Sequence, residues 1–199
     1  MTREHHHILL VDDDEGQQFL SERALNKALS HKSTVHIASS GSEAIAYMIG
    51  EREFRDRERY PFPTLVITDL HMPDGDGFDV LEFMQCNQEW AVVPRVLFST
   101  SDRDDDVRTA YVLGASAYHI KSAGANLVEC MDKIFEFWTS CQVPPVDREG
   151  RLLTTKSHGG LGARYEQSKG GAKMRRPDEV RNDEAMAPEE QAGPPHKRE

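Results

Sequence analysis

Three aspartates, a serine and a lysine carry the chemistry open to this chain. Asp12 and Asp13 directly follow the apolar run Ile8-Leu9-Leu10-Val11. Asp69 follows Leu65-Val66-Ile67-Thr68, Ser99 follows Val96-Leu97-Phe98, and Lys121 follows Ala117-Tyr118-His119-Ile120. Each apolar run reads as a strand, so each polar residue stands at a strand's C-terminal end. Open α/β sheets gather their chemistry at that edge. The carboxylates give the set a formal charge of −3 and Lys121 returns +1. One divalent cation neutralises the remainder, and carboxylates are hard ligands suited to Mg²⁺ or Mn²⁺. Without a cation, two carboxylates ~4 Å apart repel by roughly 4 kcal/mol at an effective dielectric of 20.

Helical patterns separate these strands. Phe19, Leu20, Ala24, Leu25, Ala28 and Leu29 recur at spacings of three and four, which predicts one apolar helical face over 17–29. Val35-His36-Ile37-Ala38 alternates and predicts a strand nearer a sheet edge. Ser42 is placed to cap a helix through Ala44, Ile45 and Met48. Further helices are expected from about Phe78, from Asp102–Asp106 to the stop at Gly114, and from Asn126 to Trp138. Five strands alternating with five helices predict one α/β domain with a parallel sheet. Of the acids Asp12-Asp13-Asp14-Glu15, Asp14 or Glu15 suits a helix N-terminus. The mixed charges from Glu51 to Arg59 suit an exposed extension.

The chain has 199 residues and a net charge of −10. Residues 1–146 hold 13 Lys+Arg against 24 Asp+Glu, whereas 147–199 hold 11 against 10. An acidic body argues against a nucleic-acid or lipid-surface partner. No apolar run suits a signal peptide or a membrane span. Cys86, Cys130 and Cys141 form no paired spacing, which suits a reducing, cytoplasmic setting. His5-His6-His7 abuts the first strand and reads as native sequence rather than a metal site. Residues 147–199 carry few large apolar side chains and read as a disordered tail after a domain at 1–146. The tail's basic cluster, Lys169, Lys173, Arg175 and Arg176, reads as a solvated charge run.

Together, Val11-Asp12-Asp13, Asp69-Leu70-His71-Met72-Pro73 with Gly77, Ser99-Thr100 and Tyr118-His119-Ile120-Lys121 resemble the receiver domain of two-component response regulators. The resemblance covers about residues 6–140. The stretch Glu51–Pro63 and the pair Phe137-Trp138 are similar to the single-domain regulators found beside phytochrome-type histidine kinases. The resemblance implies a flavodoxin-like, doubly wound five-stranded parallel sheet in order 2-1-3-4-5, with helices on both faces. It implies a signalling module rather than an enzyme. Asp69 would accept a phosphoryl group from a phosphohistidine on a partner kinase. Asp12, Asp13, Asp69 and the backbone carbonyl of His71 would hold Mg²⁺, Lys121 would contact the phosphoryl group, and Ser99 would hydrogen-bond it. Tyr118 would change rotamer on activation.

Two positions depart from the family's pattern. Ser99 stands where Thr is usual, keeping the hydroxyl and losing the methyl. Ser122 stands where Pro usually follows the lysine; a cis bond before a non-proline residue costs about 3 kcal/mol, so a trans bond is expected. Two other functions compete. Asp12 and Asp14 have the Asp-x-Asp spacing of haloacid-dehalogenase-type phosphatases, but Gly16 stands where that motif needs Thr or Val. A receiver-like scaffold that is never phosphorylated would have no use for Asp12, Asp13, Asp69 and Lys121 together. Lacking an output domain, the chain is expected to signal through a surface. Helix 4, strand 5 and helix 5 are the expected homodimer face, with Phe137, Val128 and Tyr111 exposed on it.

Overall fold

A computed structural model describes residues 5–28, 33–90, 92–121 and 127–144. The strands are β1 (His6–Val11), β2 (Ser33–Ala38), β3 (Leu65–Thr68), β4 (Arg95–Ser99) and β5 (Ala117–Ile120). The helices are α1 (Glu15–Ala28), α2 (Gly41–Ile49), α3 (Gly77–Cys86), α4 (Asp104–Val112) and α5 (Leu127–Ser140). All strand pairs are parallel, in the order β2-β1-β3-β4-β5. This is the flavodoxin-like order expected, with β2 at an edge. The Ser122 peptide, the 147–199 tail and its basic cluster lie outside the described residues.

The two-residue period of a strand divides the core. Ile8, Leu10, Leu65, Ile67, Val96 and Phe98 face Met131, Ile134 and Phe135 of α5 and Ala24 of α1. Leu9, Val11 and Val66 face α2 and α3 through Ala44, Met48, Val80 and Phe83. Leu97 meets Leu81 and Ala110 on that side. The interior strands are covered on both faces, which is why they read as unbroken apolar runs.

Several local expectations are corrected. Phe19 is 62% exposed and Leu20 39%, while Ser21 and Ala24 are buried. Ser21 and Ala24 thus lie on the inward side of α1, the helix that packs against α5. Ser40, not Ser42, caps α2 by accepting the Glu43 N–H at 3.1 Å. The Ser42 hydroxyl donates to Asp74 instead. The stretch from Glu51 is not merely exposed. A 3-10 turn at Arg52–Arg55 buries Phe54 against Tyr47 and Tyr60, and Arg57 donates to the Tyr47 and Met48 carbonyls ending α2. Val128 is half-buried against the α5-side core rather than exposed.

Two glycines shape the turn after β3. Gly75 has φ 78°, a left-handed conformation that favours glycine. A Cβ on Gly77 would collide with the carbonyl oxygen of Asp69. Gly77 therefore lets α3 start against the end of β3, with its N–H donating to the Leu70 carbonyl at 2.9 Å. Asp76 then caps α3 in a reciprocal box with Asp79.

Candidate functional site

Backbone ladders run one residue past the strands and carry the polar side chains to the sheet edge. The Asp12 N–H donates to the Ala38 carbonyl at 3.1 Å. The Asp69 N–H donates to Val11 at 2.8 Å, and the Lys121 N–H to Ser99 at 2.6 Å. Asp12, Asp69 and Lys121, far apart in sequence, therefore share one registered edge. One carboxylate oxygen from each of Asp12, Asp13 and Asp69 lies within 4.8 Å of the others. No other group of three potential metal-ligating side chains comes this close among the described residues. The neighbouring rings of His5, His7 and His36 do not form a second one.

Lys121 lies between two of the acids. Its Nζ is 2.9 Å from Asp12 Oδ2 and 3.0 Å from Asp69 Oδ2. The side chains of Lys121, Asp12 and Asp69 are 8%, 6% and 12% exposed, so water screens these pairs little. Each acid also accepts a backbone N–H: Asp14 donates to Asp12 at 2.9 Å, and Leu70 to Asp69 at 2.7 Å. Burial pushes the Asp12 carboxyl above the ordinary aspartate range, and the Lys121 ammonium partly offsets the rise. Asp13 is exposed at the mouth. Three carboxylates with one ammonium leave excess negative charge, and their hard oxygens fit a divalent cation.

Asp14 stands outside this group and caps α1, accepting the Gln17 N–H at 2.9 Å. The Asp-x-Asp pair is thus not assembled as a catalytic unit. Asp74 is held by Ser40 and Ser42. The His71 side chain points to solvent.

Ser99 is fully buried, and its Oγ accepts the Ser101 N–H at 3.2 Å. The Tyr118 hydroxyl donates to the Ser101 carbonyl at 2.9 Å, drawing the half-buried ring toward Leu70, Leu97 and Ala110. Ser101 also donates its hydroxyl to Asp106 of α4 at 2.5 Å. Sequence reasoning found Ser99 and Tyr118 but missed Ser101, which touches both and the first turn of α4. No periodicity marks such a residue; its only signal is a third hydroxyl after a strand.

A model of the response regulator receiver domain family matches residues 8–131. The chain belongs to this family. Response regulator Rcp1 of Synechocystis sp. is 30% identical over 132 residues, covering 66% of this chain and 87% of Rcp1. The crystal structure of the phosphorylated cyanobacterial phytochrome response regulator RcpA is similar, with TM-score 0.66 and 31% identity over 71% of this chain and 99% of RcpA. The Mn²⁺-bound form of Rcp1 is similar with TM-score 0.64 and 30% identity, covering 70% and 99%. The receiver has its three clustered acids on two strand-end loops, after β1 and β3, and its lysine after β5. No helix among the described residues is long and apolar enough to cross a membrane.

Proposed function

We propose that this receiver accepts a phosphoryl group on Asp69 from a phosphohistidine of a histidine kinase, in a Mg²⁺-dependent reaction, and signals by changing a protein-binding surface. The observation that carries the reading is the Lys121 ammonium lying between Asp12 and Asp69, with the Asp13 carboxylate beside them. Asp12, Asp13, Asp69 and the His71 carbonyl would hold the cation, whose chemistry is to neutralise charge on the transferring group. Phosphoryl transfer depends mainly on positioning and electrostatics. Asp69 attacks as the carboxylate, so no base is required. An O–P bond forms at Asp69, the N–P bond of the donor breaks, and the imidazole leaves.

Lys121 then exchanges its hold on Asp69 for the new phosphoryl oxygens. The Ser99 hydroxyl turns toward the same group and gives up the Ser101 N–H. Because Ser101 also holds Tyr118 and Asp106, this exchange loosens β5 and α4 together. The surface of α4, β5 and α5 carries exposed Tyr111, Val112, Ile120 and Phe137. A second copy of the chain is the partner proposed for it. The likeness to RcpA and Rcp1 favours a phytochrome-type kinase as phosphodonor.

Incubation with a panel of histidine kinases and Mg²⁺ tests the reading. The wild type should gain an acid-stable, base-labile phosphate, and Asp69→Asn should gain none. Labelling that survives Asp69→Asn but not Asp12→Asn would assign the chemistry to the phosphatase alternative.

A further inference from the structure

Asp12 is held at every polar atom. Its N–H donates to Ala38, Oδ1 accepts from Asp14 and Oδ2 meets Lys121. Its carbonyl oxygen accepts from the side-chain amide of Gln18 in α1 at 2.5 Å. The same Gln18 nitrogen lies 3.3 Å from the Ser39 hydroxyl in the loop after β2. Asp13 is the opposite case. Among the described residues, no hydrogen bond or ion pair holds its exposed carboxylate. The place of that carboxylate is inherited from the Asp12–Asp13 peptide, and Gln18 grips that peptide's oxygen.

We infer that Gln18 is a positioning residue for the cation site, fixing the Asp12–Asp13 peptide so that the Asp13 carboxylate is aimed at the metal. This rests on the cation reading proposed above. Among the described residues, the Gln18 amide meets the Asp12 carbonyl and the Ser39 hydroxyl, not the clustered carboxylates. It acts through the main chain, holding one loop to α1 and to the neighbouring loop. A preorganised ligand binds more tightly because its ordering cost is already met. Losing the grip should therefore weaken metal binding by about fivefold, the factor that one ordinary hydrogen bond is worth.

The test is a Mn²⁺ titration of the full chain, following the electron paramagnetic resonance signal of the free ion, for wild type, Gln18→Met, Gln18→Glu and Asp13→Asn. Half-saturation is read on folded protein, checked by circular dichroism, so a general loss of stability does not move it. Gln18→Met keeps the side chain's length and removes the donor. It should raise the half-saturating concentration about fivefold, in the same direction as Asp13→Asn. Gln18→Glu separates positioning from field. It adds negative charge near the site, yet should also weaken binding because a carboxylate cannot donate to the Asp12 carbonyl. Unchanged half-saturation in Gln18→Met, or tighter binding in Gln18→Glu, overturns the inference while the cation site stands. A wild type that takes up no Mn²⁺ overturns the site and this inference with it.

Discussion

Replacing Lys121 with Met removes the ammonium between buried Asp12 and partly buried Asp69 and keeps most of the side chain's volume. The Asp12 and Asp69 ligand oxygens lie within 4.8 Å of each other. At that distance two full charges repel by about 3.5 kcal/mol at an effective dielectric of 20. The variant also loses attractions that act across 2.9 and 3.0 Å. Breaking a buried pair from one side costs about 3–5 kcal/mol. The lower end applies here, because Asp69 keeps some contact with water and burial already favours the protonated form of Asp12. At ~3 °C per kcal/mol for a domain of this size, the Tm without divalent cations should fall by ~10 °C. Mg²⁺ should then raise the variant's Tm more than the wild type's, since the cation meets no competing ammonium. Scanning calorimetry with and without Mg²⁺ measures both effects. A variant that melts with the wild type, or responds to Mg²⁺ no more strongly, would refute the view that Lys121 neutralises this pair.

Gly77→Ala pushes a methyl group onto the Asp69 carbonyl and should cost about 1–3 kcal/mol or more in denaturant unfolding; a neutral substitution would mean the turn relaxes freely. Burial, with His5 adding to it, holds the His36 imidazole below its ordinary 6.5. The unfolded chain therefore binds that proton first, and stability should fall as pH drops from 6.5 toward the folded value. His36→Phe should flatten this part of the stability–pH curve, and an equally steep curve would assign the effect to other groups. Phe137→Glu places charge on the exposed α4-β5-α5 face and should shift sedimentation from dimer to monomer. A wild type that stays monomeric with and without a phosphoryl mimic would remove the dimer proposal.

The sheet and its chemical edge were legible in the residues themselves. Ile8–Val11, Leu65–Thr68 and Val96–Phe98 are unbroken apolar runs because interior parallel strands are covered on both faces. A chain leaving such a strand must emerge at the sheet edge, so Asp12, Asp69, Ser99 and Lys121 could be placed at one edge from the parallel arrangement alone, whereas the strand order came from the family resemblance. Cooperation across loops was not legible. The Arg57 grip on the end of α2, the Ser101 junction and the Gln18 clamp each join segments whose separation no sequence period encodes. The outward Phe19 shows the same limit. Its spacing satisfies a helical stripe, but the helix turns Ser21 and Ala24 inward and leaves Phe19 in solvent. Local periodicity reports which residues share a side of one element. Which side faces inward, and which polar atoms meet across elements, is decided only when the packed neighbours are in place, because packing distance and hydrogen-bond geometry belong to pairs of elements.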